Sequence, residues 1–391
     1  MVADYYDVII AGGSISGLLA GREIASKGLS VVILEEDAEI GTPEHCGGLV
    51  SITGIENLGI IPESNAVESK IKYAKIFSYS KIFELNAEEQ KVIVLDRRMF
   101  DKQIAFQTQR MGGDIRVMCA MRSITKRSEC NDNRYYYEVR TSEGTLKCNY
   151  FVDARGVSSI LHRNREGVLQ SAQYEVYAPW IERDTIEVKF DSERYPGFFA
   201  WIIPTSRGKA KIGVAGKSIN AANALKGYLD TKGKVYSIIR KVYAPIWVRG
   251  PLETFVYGRT VIIGDAAGQT KPTTAGGIYT CGMGGILAGR AIAKAFEQKN
   301  DNLLYDYQKR WFSIFKDEFD KMIIARRLLE RLDNKAIDEL FFTVSQTQTE
   351  QLSKTGDFDF HSAALAKILG AKGALKIAKM VLGNEIRRLL E

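Results

Sequence analysis

The stretch that most restricts the fold opens the chain: YYDVIIAGGSISGLLAGREIASKGLSVVILEE, residues 5–36. The apolar run at 5–11 suits a strand buried on both faces of a parallel sheet. Leu18, Leu19, Ile24 and Ala25 then recur at helical spacing, and Gly28 is a natural stop. SVVILEE supplies a second buried strand ending in Glu35, 18 residues after Gly17. Strand, glycine loop, helix, strand and acid stand in the order of a dinucleotide-binding unit. Gly12 allows the sharp turn out of the strand, the third loop position brings the backbone to a pyrophosphate, and Gly17 lets helix and strand pack closely. The helix N-terminus offers free N–H groups and positive dipole to the phosphates, and Glu35 can accept from a ribose. Ser14 occupies the middle glycine position of G-x-G-x-x-G. Serine is small, and its hydroxyl is a candidate phosphate contact.

A second glycine-rich unit lies far downstream, RTVIIGDAAGQTKPTTAGGIYTCGMGGILAGRAIAKAF, residues 259–296. It reads as a buried strand running out at Gly264 and Asp265, then a loop and a glycine-rich helix. An aspartate at a strand end can bind a polyol, and Gly276 and Gly277 let the backbone approach a flat ring. Taken alone, the segment also fits a plain strand, turn and packed helix with Asp265 in solvent.

GGSISG with Glu35, LDRRMFDKQIA around Arg97, YFVDARGVSS and GDAAGQTKPTTAGG together resemble the flavoprotein group built on the p-hydroxybenzoate hydroxylase plan, over most of residues 1–310. The resemblance implies FAD as cofactor, with the first loop and Glu35 on its ADP half, Arg97 along it and Asp265 on the ribityl chain. The implied contacts are Gly12, Ser14, Ile15, Ser16, Gly17, Glu35, Cys46, Gly47, Gly48, Arg97, Ala120, Asp265, Gly276, Gly277 and Ile278. Within that group EIGTPEHCGG (39–48), PGFFAWIIP (196–204) with GVAG (213–216), and LLYDYQKRW (303–311) resemble the geranylgeranyl reductase family, which includes archaeal digeranylgeranylglycerophospholipid reductases. Phe199 replaces that family's usual Tyr, Ile203 its Phe and Ala215 a glycine, and Arg155 stands where related flavoproteins have Asp.

This family resemblance implies saturation of isolated carbon–carbon double bonds in a prenyl chain, by hydride from reduced flavin and a proton from the site. Such an alkene offers no carbonyl to polarise, so placement and exclusion of water carry much of the work. Phe198, Phe199, Trp201 and Ile203 are the candidate channel wall, or else sheet core. Cys46, placed near the flavin by the resemblance, is the candidate catalytic residue, tuning the flavin or relaying a proton; an inert buried thiol is the alternative. His45 beside it can tune its acidity. FAWIIP also resembles the W-x-W-x-I-P signature of flavin-dependent halogenases, with Phe199 for the first tryptophan. A halogenase or related monooxygenase would need oxygen to react with reduced flavin. A halogenase would also need a placed lysine, and nothing in the sequence sets Lys75 or Lys81 in that role. A non-catalytic FAD-binding lipid carrier is a third reading.

No second G-x-G-x-x-G stands ready for a nicotinamide, so reduced ferredoxin, a reduced deazaflavin or a small molecule is the expected donor; a basic surface suits an acidic ferredoxin. The formal charge of +7 is spread along 391 residues, a solvated surface rather than a nucleic-acid stripe. Asp4 and Asp7 precede the first apolar run, unlike a secretory signal, and residues 275–289 are short and hold six glycines, unlike a membrane span. The expected location is cytoplasmic, with the basic amphipathic segment 364–391 either a terminal helix docked on the domain with a solvated basic face or a candidate for peripheral contact with an anionic membrane. Five scattered cysteines and three histidines argue against a metal cluster.

The expected class is α/β (α+β). A Rossmann-like FAD-binding domain (1–71, 96–169, 256–302) is interleaved with an antiparallel β-sheet substrate domain (72–95, 170–255), and C-terminal helices follow (303–391).

Overall fold

In the computed structural model, residues 4–128, 135–159, 166–343 and 358–360 are described, and the basic segment 364–391 lies outside them. The first strand, Tyr5–Ala11, has parallel neighbours on both sides, Val31–Leu34 and Gly144–Asp153, with Val8 opposite Val31 and Tyr150. Thr260–Ile262 and Asp114–Arg116 extend this sheet in the same sense. Val8, Ile10, Val31 and Ile33 face a core built with helices Ile15–Ala25 and Ile278–Glu297. Ile9, Ala11, Val32 and Leu34 face the antiparallel strands Met121–Ser128 and Tyr135–Thr141. Burial on both faces is what the apolar run of the first strand requires.

The two helices touch backbone to backbone. A Cβ on Gly285 would lie 2.1 Å from the Ser16 carbonyl, and one on Gly289 would lie 2.6 Å from that of Ala20. The start of the long late helix is thereby locked against the glycine loop.

A second sheet runs in the order Ser237–Trp247, Val168–Tyr177, Lys209–Gly216, Ala200–Ser206, Thr185–Lys189, Tyr73–Phe77, Ile82–Asn86. Its pairs are antiparallel except for Thr185–Lys189 with Tyr73–Phe77. Helix Ala221–Lys232 covers one face, setting Leu225, Tyr228 and Leu229 on Ala200, Ile202, Ile212 and Val214. The opposite face carries Gln173, Trp201, Ile203 and Lys211.

One expectation is corrected. Val92–Leu95 does not join this sheet but forms a smaller one with Leu49–Ser51 and Val67–Lys70. The physical reason is burial on both sides: Val92 and Val94 pack on Ile203 while Ile93 and Leu95 enter the main core. Phe198 and Phe199 fall just ahead of the strand Ala200–Ser206 rather than within it. No described helix is long and apolar enough to cross a membrane.

Candidate cofactor and active site

The site is assembled where the parallel strands end: Gly12 follows the first, Glu35 the second, Ala154 the Gly144–Asp153 strand and Gly264 nearly the last. Such a crevice is where open α/β sheets bind ligands. Gly12 has φ +111°, and a Cβ there would lie 2.3 Å from the Ala154 carbonyl oxygen. A Cβ on Gly17 would lie 2.0 Å from the Gly12 carbonyl. Both positions exclude any side chain. Glu35 ties the loop down, its carboxylate accepting from Gly13 N at 2.8 Å and from Asp37 N at 3.0 Å.

Ser14 has φ −89° and ψ −178°, extended backbone open to any residue. Its hydroxyl accepts from Arg97 Nη2 at 3.3 Å and does not cap the helix. Ile15 and Ser16 form the buried first turn, and a Cβ on Gly264 would lie 2.6 Å from Ser16 Oγ. The two glycine-rich units, far apart in sequence, thus meet. Ala120 stands beside the end of the second strand: its N–H donates to Ser142 Oγ at 3.0 Å, and Cys119 N donates to the Glu35 carbonyl at 2.8 Å.

Asp265 accepts from the Thr270 hydroxyl and from the Cys281 thiol, the latter at 3.5 Å. Burial, then the Asp265 charge, pushes that thiol well above its ordinary value, so it stays protonated. A Cβ on Gly277 would lie 3.6 Å from Asp265 Oδ1, which places the carboxylate beside the Gly276–Gly277 turn and Ile278. The turn is braced from below. Gln269 accepts from Gly264 N at 2.8 Å and donates to Tyr307, whose hydroxyl donates to the Ile262 carbonyl at 2.8 Å. Trp311 Nε1 donates to the Thr280 carbonyl at 3.1 Å. Tyr307 and Trp311 of LLYDYQKRW therefore support the loop rather than face the crevice.

Arg97 opens helix Arg97–Arg110, capped by Asp96, and is 8% exposed. Its guanidinium holds Asp101 through two bonds of 2.9 and 2.8 Å. Burial opposes its charge, but Asp101 and then Cys46 outweigh that and hold it above its ordinary value. Arg97 thus faces both Ser14 and the Cys46 thiol.

Cys46 Sγ accepts from Gly48 N at 3.3 Å. A Cβ on Gly47 would lie 2.6 Å from Ile203 Cδ1, and one on Gly48 2.3 Å from the Leu95 carbonyl. The cysteine loop is therefore pressed between the small sheet and the seven-stranded one. Gln173 completes the join, donating to the Cys46 carbonyl at 3.3 Å and accepting from Trp201 Nε1 at 3.1 Å. Phe198 stacks on Phe199 at 4.1 Å, and Phe199 meets Trp201 edge-on at 6.2 Å. Ile203 sits in the adjoining cluster with Val92 and Val94, which Trp201 also touches. His45 is exposed, and no described hydrogen bond joins it to Cys46. Arg155 folds back on Asp153 at 2.7 Å. Lys75 pairs with Glu182 at 2.6 Å and Lys81 lies over the Phe342 ring, so neither belongs to this site.

Three residues escaped the sequence reading. Gln173 is one, and Glu44 and Lys211 are the others. Glu44, 2% exposed, accepts from Lys211 Nζ at 2.7 Å, from Arg97 N at 3.0 Å and from Arg240 Nη2 at 3.0 Å. Lys211 also donates to Glu68 at 2.9 Å. Burial opposes the lysine's charge, while Glu44 and Glu68 raise it above its ordinary value. A signal was present: strand alternation puts Lys211 on the same inward face as Gly213 and Ala215.

A glycine cradle that admits no Cβ, two carboxylates just past strand ends and a buried arginine against the cradle's Ser14 define a nucleotide-binding α/β protein. The chain belongs to the FAD binding domain family, whose profile matches residues 5–316. Digeranylgeranylglycerophospholipid reductase 2 of Methanopyrus kandleri is 28% identical over 86% of this chain and 89% of its own. A geranylgeranyl bacteriochlorophyll reductase-like protein of Thermoplasma acidophilum shares the fold, with TM-score 0.84 at 20% identity over 96% of this chain and 98% of that one. The flavin-dependent halogenase CmlS is more distant, with TM-score 0.64 at 17% identity over 94% of this chain and 76% of that one.

Proposed function

We propose that this protein is an FAD-dependent reductase that saturates carbon–carbon double bonds in the prenyl chains of isoprenoid lipids. The observation that carries the reading is the join at Cys46. Its thiol faces Arg97, which also holds the loop residue Ser14, while Gln173 ties its backbone to Trp201. The likeness to the Methanopyrus reductase supports the same reading.

Gly12 to Gly17 and Glu35 would hold the ADP half of FAD, with Ala120 beside it; Arg97 would lie along the cofactor, Asp265 would take the ribityl hydroxyls, and Gly47, Gly48, Gly276, Gly277 and Ile278 would border the ring. Bound FAD, once reduced, supplies a hydride to one alkene carbon. The Cys46 thiol gives the proton for the other carbon, so the double bond gains H⁻ and H⁺. The thiolate left behind is held by the Gly48 N–H and the Arg97 guanidinium until water returns a proton. Phe198, Phe199, Trp201 and Ile203 form the apolar wall that aligns the alkene and keeps water out. Electrons reach the protein from an external carrier such as reduced ferredoxin or a reduced deazaflavin.

The test is anaerobic reduction of the yellow protein with dithionite in the presence of geranylgeranyl lipids, followed by mass spectrometry. A gain of two hydrogens per double bond is expected. Cys46→Ser keeps its flavin and slows saturation by roughly 10²–10⁴-fold. Lipid left unchanged while oxygen and halide modify an aromatic compound would overturn the reading in favour of a halogenase.

A further inference from the structure

A cavity of about 750 Å³ lies beside the site, and none of the expected FAD contacts lines it. That volume is typical of small-molecule sites. Its floor at Val157 and Ser158 adjoins Gly156, where an added Cβ would lie 3.9 Å from Asp265 Cβ. One wall is apolar. Leu169 and Val248 line it and belong to the same cluster as Phe198, against which Phe199, Trp201 and Ala275 pack. The lining also carries cations, Lys217, Arg249, Arg326 and Arg327, together with Glu166 and Glu330.

Arg326 is the unusual member. It is 4% exposed, and its guanidinium carbon lies 5.5 Å from the centre of the Phe198 ring. Glu330 approaches Nη2 at 2.9 Å, yet neither terminal nitrogen has a partner in hydrogen-bond geometry among the described residues. Glu330 is itself an exposed residue, so water shares its charge. A buried guanidinium carries five N–H donors; the Glu330 carboxylate beside Nη2 balances part of its charge, and donors without an aligned acceptor are costly. Their planar fork fits the paired oxygens of a phosphoryl group. A cavity lined by both a phosphoryl-matching arginine and an aromatic-backed apolar face suits an amphiphile.

We propose that this cavity is an anion subsite for the phosphoryl-bearing head of the isoprenoid substrate, with Arg326 as its anchor and specificity determinant. The inference rests on the reductase reading for the identity of the ligand. The chain would run along Leu169 and Val248 toward Trp201 and Cys46. An uncharged isoprenoid, such as a quinone, lacks the group that Arg326 recognises.

The experiment measures binding rather than turnover. Geranylgeranyl monophosphate and geranylgeraniol are titrated against the oxidised holoenzyme, read by tryptophan and flavin fluorescence. The phosphate is expected to bind more tightly, and Arg326→Met to cut the phosphate-over-alcohol preference by roughly 10- to 150-fold. Arg326→Lys, which keeps the charge without the fork, should recover part of it. Equal weakening of both ligands overturns the subsite. If Arg326→Met fails to retain flavin, Lys217→Ala and Arg249→Ala at the exposed rim should each lower the preference severalfold; no change in either overturns the proposal. Inorganic phosphate should compete only weakly, and Arg326-dependent binding of inorganic phosphate as tight as that of the lipid overturns assignment to a headgroup. Arg326-dependent binding of the lipid phosphate without reduction of its double bonds supports the subsite and sinks the reductase reading alone.

Discussion

The loop at residues 12–17 and the loop at 39–48 both meet Arg97, yet they rely on distant side chains to different degrees. The first is shaped by missing side chains: Gly12 and Gly17 sit where a Cβ would strike backbone at 2.3 and 2.0 Å. The second has such a position too, Gly48, where a Cβ would lie 2.3 Å from the Leu95 carbonyl, but it is also anchored by side chains, Glu44 holding it to Lys211 and Arg240, and Gln173 to Trp201. A loop shaped by absent atoms tolerates nothing larger at those points. A loop held by charges depends on partners from distant strands. The two should therefore fail differently.

The largest effect is expected from Gly17→Val. Its Cβ cannot be placed without displacing the Gly12 carbonyl, so a loss of about 4 kcal/mol or more is expected, with no yellow colour in the purified protein. A flavin-loaded Gly17→Val protein with an unchanged melting temperature would show that the loop yields, and the contrast between the two loops would collapse.

Next comes Lys211→Met. Removing the lysine strands Glu68 and leaves the almost fully buried Glu44 one cation short, with Arg240 and the Arg97 N–H still on it. Breaking a buried ion pair from one side costs about 3–5 kcal/mol. The expected result is a large fall in melting temperature with FAD still bound, since no part of the network touches the glycine loop except through Arg97 N. Adding Glu68→Gln to Lys211→Met should restore part of the stability, because it removes one stranded charge. Strictly additive losses in the double variant would mean that the network does not act as a unit.

This difference also explains what could be read in advance. The nucleotide loop was legible because its signal is local: strand, turn and helix follow within one short segment, even though Gly12 answers to the Ala154 carbonyl far along the chain. The position of Asp265 was legible because it too lies just past a strand end. The cysteine loop was legible only by resemblance. Its neighbours Gln173 and Lys211 come from strands more than 120 residues further on, and nothing local to Cys46 names them. Val92–Leu95 was misassigned for a related reason. Its four buried residues serve two cores, and alternation cannot tell which sheet such a strand will join.

The smallest effect should come from Ser14, and it separates the two ways of building a loop within a single position. Its backbone is extended, so glycine is not needed there, and its hydroxyl makes one 3.3 Å bond with Arg97. Ser14→Gly should therefore change stability by only a few tenths of a kcal/mol, the usual cost at a helix N-cap, and keep the flavin. Ser14→Leu is expected to fold as well, because Ser14 is exposed, but its side chain would fill the space above the helix N-terminus that a pyrophosphate needs. Flavin should then dissociate while the melting temperature of the flavin-free protein stays put. If Ser14→Leu binds FAD as tightly as the parent, the pyrophosphate does not sit over this loop.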